Sequence, residues 1–156
     1  MRTWTDASVL IALDSIGEIE ILRDIVGRVH VTAEVAREIG TERASASLRK
    51  ALESWIHVEA VRGHATRYRR LGLGAGEASL FLTPREDILV LDDRPARRVA
   101  DSEGRAYTGL LGLLQAAVAA GLLGRSRARE ILGKLVRSGF RLRVDLYERI
   151  RREFEP

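Results

Sequence analysis

Residues 88–91, Ile-Leu-Val-Leu, give the strongest structural signal in the pattern of apolar and polar positions along this chain. Four consecutive apolar residues predict a strand that is buried on both faces. Asp92 and Asp93 follow directly, and a helix is predicted just after Pro95. In open α/β sheets, ligands bind outside the carboxyl ends of the strands, so acids at this position are candidates for function. Asp93 is also well placed to cap the following helix, which is a purely structural role.

The rest of the chain alternates short extended runs with helical patterns. Strands are predicted at residues 2–5, 28–31, 55–61, 88–91 and 105–108. Helices are predicted at residues 7–13, 19–26, 33–39, 44–54, 65–71, 77–82, 96–102, 110–120 and 126–136, and around 146–154. The helix over 110–120 is apolar nearly all round and is expected to be buried, and Ser126 is expected to cap the next helix. Residues 140–144 alternate between apolar and basic side chains. Strands interleaved with helices predict an α/β protein with a parallel sheet covered on both faces.

Length and composition restrict the class of protein. The 156 residues predict a single domain over 1–156 with one sizeable core. The 46% of hydrophobic residues are too many for a disordered chain, and the lack of cysteine excludes disulfides and thiolate metal sites. The longest apolar run is far shorter than the ~20 residues of a membrane helix. The first residues do not have the pattern of a signal peptide, so we expect a cytoplasmic protein that is not bound to membrane.

The charge of the chain is basic and consists almost entirely of arginine. The formal net charge is +4, and Lys50 and Lys134 are the only lysines among the 26 basic residues. Arginine is suited to bidentate contacts with phosphate, which makes nucleic acid a candidate partner. A general bias in genome composition would give the same preference for arginine. The charge alone therefore leaves nucleic-acid binding open.

Acidic residues recur where strands are predicted to end. Asp6 ends the first strand, Glu38 lies in the helix after the second strand, and Glu77 opens a helix after a glycine-rich loop. Each has a structural explanation, namely a helix cap for Asp6, a solvated helix face for Glu38 and a favourable helix start for Glu77. Together they point to one edge of the sheet. A cluster of carboxylates suits Mg²⁺ or Mn²⁺ and metal-assisted phosphodiester hydrolysis, and crowding would raise the pKa of some of its members.

The segments that carry these acids follow one another in a characteristic order. They are Thr-Asp-Ala-Ser-Val-Leu-Ile-Ala-Leu at 5–13, Val-Thr-Ala-Glu-Val-Ala-Arg-Glu-Ile at 31–39, Gly-Ala-Gly-Glu-Ala-Ser-Leu at 74–80 and Leu-Val-Leu-Asp-Asp-Arg-Pro-Ala-Arg-Arg-Val-Ala at 89–100. The ordered set resembles the PIN-domain family, in particular prokaryotic PIN proteins related to VapC-type toxins. Residues 108–114, 121–123 and 138–142 are also similar to that subgroup.

The resemblance implies a three-layer α/β/α sandwich with a central, mostly parallel sheet. It further implies an Mg²⁺- or Mn²⁺-dependent endoribonuclease, the toxin of a toxin–antitoxin pair, with an antitoxin protein as partner and a homodimer as the expected assembly. The resemblance assigns the catalytic acids to Asp6, Glu38, Glu77 and Asp92, and the metal ligands to these four together with Asp93.

Two assignments remain open at this stage. The fourth acid is Asp92 or Asp93, and Asp92 is favoured because it directly ends the strand. Glu34, one helical turn before Glu38, competes with it for the same role. Arg94, Arg97 and Arg98 follow the central strand and are candidates for contact with RNA phosphate, although a solvated or ion-paired face explains them as well.

Two other functions fit parts of the same pattern. The first is a non-catalytic RNA-binding or partner-binding module on the same fold. The second is a receiver-like domain that accepts a phosphoryl group, since such a domain also gathers acids at a sheet edge. A receiver-like domain is expected to place a lysine near that edge, and this chain has only Lys50 and Lys134.

Overall fold

Five short strands pair side by side in the computed structural model, which describes residues 1–40 and 44–156. All the pairings are parallel, and the strand order is β3-β2-β1-β4-β5. The strands are β1 (Thr3–Thr5), β2 (Val29–Thr32), β3 (Ile56–Glu59), β4 (Ile88–Val90) and β5 (Tyr107–Thr108). The predicted parallel sheet is therefore confirmed, and β3 and β5 lie at its edges.

Ten helices in the described residues flank this sheet. They are α1 (Ala7–Ser15), α2 (Ile21–Val26), α3 (Ala33–Gly40), α4 (Ala46–Ser54), α5 (Thr66–Arg70), α6 (Ala75–Leu80), α7 (Arg94–Glu103), α8 (Leu110–Ala119), α9 (Arg125–Arg137) and α10 (Val144–Glu153). Helices α1, α3, α4, α5 and α6 contact one another in one set, and α2, α8, α9 and α10 in another. The architecture is an α/β/α sandwich. Within the two described ranges, no helix combines the length and the apolar character that a membrane span requires.

The centre of the sheet is buried on both faces because its strands are apolar. Leu89, Val90 and Leu91 are fully buried, as predicted from their uninterrupted run. Trp4 of β1 lies beside them and is 1% exposed. These side chains belong to one continuous hydrophobic core, and its rigidity fixes the positions of the residues that leave the carboxyl ends of β1 and β4.

Two local predictions need correction. Helix α8 buries only one side, through Leu110, Leu114 and Ala117, and its other apolar residues are partly exposed or exposed. Helix α9 begins at Arg125 after Gly124 in the capping position, so Ser126 lies inside the first turn and is not the cap. The alternating residues 140–143 form an irregular segment that leads into α10, which begins at Val144.

A buried carboxylate ties together the amino ends of β1 and β4. Asp87 accepts hydrogen bonds from the indole Nε1 of Trp4 and from the backbone N–H of Arg2, both at 2.8 Å. The guanidinium Nε of Arg2 lies 3.3 Å from the same carboxylate. Burial opposes ionisation of Asp87, but these donors and the positive charge of Arg2 outweigh it and lower the pKa of the carboxyl group. The charged form is therefore the one that stabilises the fold.

We expect Asp87→Asn to lower the free energy of unfolding by about 1–3 kcal/mol at neutral pH, because the amide NH2 group that replaces one carboxylate oxygen cannot accept the hydrogen bond which that oxygen accepted. The difference from wild type should narrow as the pH falls below about 4, where the unfolded carboxyl becomes protonated and the charged form is lost. Urea unfolding at several pH values measures both effects. The neighbouring exposed change Glu86→Gln serves as the control, and an equal loss in that variant would contradict the prediction.

Candidate functional site

The strand order creates a switch point between β1 and β4. From β1 the chain proceeds through β2 to β3 on one side, whereas β4 is followed by β5 on the other side. Ligand crevices of open parallel sheets form outside the carboxyl ends of strands at such a point. Asp6 follows β1 and Asp92 follows β4 within two residues, so two of the predicted acids lie at the switch point.

Asp6 is held in a fixed and buried position. It caps α1, since its Oδ1 accepts from the backbone N–H of Val9 at 2.9 Å, and its Oδ2 accepts from the N–H of Asp92 at 3.3 Å. The residue is 1% exposed. The pKa of Asp6 is raised to about 7, chiefly by burial and also by the nearby charges of Asp92 and Asp93, and the two backbone donors only partly oppose this. Asp6 is thus both the helix cap and the acid at the switch point that the sequence predicted.

Asp92 is the acid of the switch point that has a basic partner. Its Oδ1 accepts from Nη2 of Arg97 at 2.8 Å, and its Oδ2 accepts from the backbone N–H of Leu110 at 3.2 Å. Arg97 also donates through Nε to the carbonyl of Leu91 at 2.8 Å, which fixes the guanidinium. Burial raises the pKa of Asp92, while Leu110 and Arg97 act against the increase. Of the three arginines considered for RNA contact, Arg97 is the one bound to an acid of the site.

Gly109 makes room for this ion pair. A Cβ atom at position 109 would lie 2.0 Å from Nη2 of Arg97 and 2.7 Å from Oδ1 of Asp92. Neither distance is compatible with a side chain, so the pair requires glycine at this position. No sequence pattern connects Gly109 with Asp92, because their contact depends on the packing of α8 beside β4 and β5.

Glu77 and Asp93 form the second half of the site. Glu77 lies in the first turn of α6 and accepts weakly from the backbone N–H of Gly74 at 3.4 Å. The pKa of Glu77 is raised to about 7, chiefly by burial and also by the charge of Asp93 and a hydrogen bond with its carboxyl group. Asp93 occupies the capping position of α7, but its side chain makes no capping hydrogen bond. The carboxyl group of Asp93 is turned toward Glu77, so the structural explanation offered for it does not apply.

Glu38 contacts the same turn of α6 from the other side. It projects from α3, which packs on α6, and its Oε1 accepts from the backbone N–H of Gly76 at 2.8 Å. A Cβ at position 76 would lie 2.5 Å from Oε2 of Glu38, so glycine is needed here as well. A hydrogen bond of 2.7 Å between the hydroxyls of Thr32 and Ser79 joins α6 to the end of β2. Glu38 is therefore tied to the backbone of the turn that carries Glu77.

Glu34 differs from Glu38 in its surroundings. Its side chain is partly buried, and its Oε2 is fully buried without a hydrogen-bond partner among the described residues. Glu34 lies in the first turn of α3, directly after the carboxyl end of β2. A buried carboxylate oxygen is costly when nothing binds it, so Glu34 stays a candidate beside Glu38.

We define the acidic cluster as Asp6, Glu77, Asp92 and Asp93. Among the ion pairs of the described residues, Asp92 is joined to Arg97, but none reaches Asp6, Glu77 or Asp93. Lys134, which a receiver-like site would need nearby, pairs instead with Glu18 and Glu130. The cluster thus has an excess of negative charge that a hard cation would neutralise, and its oxygen donors are those that Mg²⁺ and Mn²⁺ prefer.

The described carboxylates are not arranged as a complete set of metal ligands. Within residues 1–40 and 44–156, no three acidic or histidine side chains are arranged so that they could hold one metal ion together. A hydrogen bond joins the carboxyl groups of Glu77 and Asp93. The donor chemistry of the cluster fits a divalent ion.

The fold and the cluster define an α/β protein with carboxylates gathered at the switch point of a parallel sheet. Residues 3–156 match the family model of the PIN domain, and the chain belongs to that family. PIN domains are generally nucleases and typically use divalent metal ions. Searches of curated proteins and of solved structures gave no match.

We expect Gly109→Ala to lower the free energy of unfolding by about 1–3 kcal/mol, because the added methyl group overlaps the ion pair of Arg97 and Asp92. Gly124→Ala is the matched control, since Gly124 also occupies a helix-capping position but has nothing within 4 Å of its Cβ position. Thermal or urea unfolding gives the comparison. Equal losses in the two variants would show that only the capping preference had changed.

The pKa of Asp6 predicts how stability depends on pH when a chelator removes divalent ions. The folded protein binds the proton of Asp6 more tightly than the unfolded chain does, so stability is highest below the ordinary carboxyl pKa and is lost as the pH rises through about 7. We expect a loss of about 2–4 kcal/mol between pH values near 4 and near 8, to which Glu77 contributes. Asp6→Asn should reduce this dependence in urea unfolding with EDTA, and an unchanged dependence would contradict the burial of the charge.

Proposed function

We propose that this PIN domain is a metal-dependent endoribonuclease and that it acts as the toxin of a toxin–antitoxin pair. The observation that carries the nuclease proposal is the burial of Asp6 at the switch point, beside Asp93 and Glu77, with no ion pair to any of the three among the described residues. Such a site attracts a divalent cation and, through it, an anionic phosphodiester. The arginine-rich character of the chain favours the same substrate.

In this proposal, Asp6 and Asp92 would hold the ion at the end of the sheet, with Asp93 and Glu77 beside them and Glu38 or Glu34 reaching it from α3. A bound Mg²⁺ or Mn²⁺ would neutralise negative charge on the acids and on the phosphate in the transition state. The rigid positions of Asp6 and Asp92, both fixed by backbone N–H donors, would keep this geometry without reorganisation.

Hydrolysis also needs a group that takes a proton from the attacking water. Glu77 is partly buried in the first turn of α6 beside the cluster, so its carboxylate would accept that proton. The water oxygen forms a bond to phosphorus, the bond from phosphorus to the leaving oxygen breaks, and the leaving oxygen takes up a proton. Arg94 and Arg98 are exposed next to the cluster and would contact RNA phosphate, while Arg97 would keep Asp92 oriented.

The toxin role rests on the similarity of the acid-containing segments to VapC-type proteins. The proposed toxin role implies an antitoxin protein as partner, a homodimer as assembly and a cytoplasmic location. These features fit a small RNA-cleaving protein whose activity has to be restrained in the cell. A second function, RNA binding without cleavage, is favoured by the lack of a ready metal-binding set within the described residues.

We expect the purified protein to cleave single-stranded RNA with Mn²⁺ or Mg²⁺ and to lose this activity in EDTA. Asp6→Asn keeps a residue that caps helices well but removes the charge, so cleavage should fall by about 100-fold or more. Induced expression of wild type should arrest growth, and expression of Asp6→Asn should not. The rate of cleavage of a labelled oligonucleotide is the measurement.

Asp24→Asn is the control, because Asp24 is exposed on α2 and should leave cleavage unchanged. Glu34→Gln and Glu38→Gln, assayed in parallel, decide which glutamate of α3 takes part. Wild-type levels of cleavage by folded Asp6→Asn would overturn the site. RNA binding without any cleavage under Mn²⁺ would favour the non-catalytic module.

A further inference from the structure

A cavity of about 490 Å³ opens next to the acidic cluster and shares Asp92 with it, and Arg97, the partner of Asp92, also lines it. It lies between the start of α7, one side of α8, and the segment 140–143 that leads into α10. We call it the α8 cavity. Its volume is within the range of small-molecule sites and is sufficient for one nucleotide.

The wall of the α8 cavity is apolar and its rim is basic. Leu111, Phe140 and Leu142 form part of the wall and are only partly buried, so they present carbon surface to whatever enters. Arg94, Arg141 and Arg143 are exposed around it. Together with Arg97, four arginines line the cavity against a single acid, Asp92, so its charge is complementary to an anion that carries a flat apolar group.

The alternation of residues 140–143 explains how one segment supplies both surfaces. Phe140 and Leu142 are partly buried and pack against the core, whereas Arg141 and Arg143 are exposed. The backbone N–H of Phe140 donates to the carbonyl of Leu135 at 3.0 Å, which anchors the segment to α9. The salt bridge of Arg143 with Asp145 joins two side chains that are 74% and 73% exposed, so it leaves the arginine available to a ligand.

We propose that the α8 cavity binds one nucleotide of a single-stranded RNA beside the phosphodiester at the acidic cluster. Its base would rest on Phe140 and Leu142, and its phosphates would contact Arg141 and Arg143. Proteins recognise single-stranded RNA by such stacking of unpaired bases together with arginine contacts to the backbone. This inference rests on the proposed function and adds the residues that would bind and select the substrate next to the point of cleavage.

The test is binding of a fluorescently labelled 12-nucleotide single-stranded RNA, followed by anisotropy in EDTA so that cleavage does not interfere. We expect the double variant Arg141→Ala/Arg143→Ala to bind at least ~5-fold more weakly, with a salt dependence smaller by about 1.4 in log–log slope for two lost phosphate contacts. The control, Arg149→Ala/Arg152→Ala, removes the same charge from exposed positions of α10 that do not line the cavity. It should change binding by less than ~2-fold.

Leu142→Ala provides a test of the base contact, since it keeps every charge. It should weaken binding of the single strand but not the weaker binding of a duplex of the same sequence. Circular dichroism of each variant establishes that it is folded. Equal losses in the two arginine double variants, or no loss in either, would overturn the proposal.

Competition with a 12-residue oligoglutamate decides between a nucleotide and an acidic peptide as the occupant. We expect the peptide to compete poorly, because it offers no flat group for the apolar wall. Displacement of the RNA at comparable concentration would overturn the nucleotide site in favour of a peptide site. The outcome is independent of catalysis. Selective loss of binding in Arg141→Ala/Arg143→Ala would support the cavity even if the wild type failed to cleave RNA under Mn²⁺.

Discussion

The carboxylate of Asp6 must be buried, and this constraint governs the rest of the site. Asp6 ends a central strand and caps α1, so the core packs around it and leaves it 1% exposed. Two backbone donors satisfy its oxygens, but they do not neutralise its charge, and Asp92 and Asp93 add charge of the same sign. The protein therefore keeps an acid at neutral pH in a position where ionisation is costly unless a cation is present.

The opposite edge of the sheet shows that the fold can stabilise a buried carboxylate when no ligand is involved. Asp87 precedes β4 as Asp92 follows it, and it is almost as deeply buried as Asp6. Asp87 has an indole donor, a backbone donor and the guanidinium of Arg2, and its pKa is lowered. Asp6 and Glu77, by contrast, have raised pKa values and no ion pair among the described residues, and carboxyl groups with perturbed pKa values cluster at functional sites.

Patterns along the chain predicted the strands and the central acids, because these depend on local features. The apolar run 88–91 has only one stable place, in the middle of the sheet, so the position of Asp92 follows from it. The contact of Asp93 with Glu77 was not predictable, because the same sequence position suits a helix cap, and only the packing of α6 against the sheet decides between the two. The choice between Glu34 and Glu38 depends on a rotation of α3 that hydrophobic periodicity does not resolve. The contacts of Gly109 and of residues 140–143 depend on long-range packing and were therefore not predictable from the sequence.

The arrangement of basic residues completes the electrostatic argument. A chain with a net charge of +4 could have paired an arginine with every acid of the cluster, but the described residues pair only Asp92. That one pair orients a carboxylate, whereas Arg94, Arg141 and Arg143 lie outside the cluster and around the adjacent cavity. Direct pairing would have cancelled the negative charge that a divalent ion requires. Because the two signs are separated, the acidic cluster is suited to a cation and the neighbouring α8 cavity to an anionic chain. A phosphodiester that spans both would contact the cation at the cluster and the arginines at the cavity.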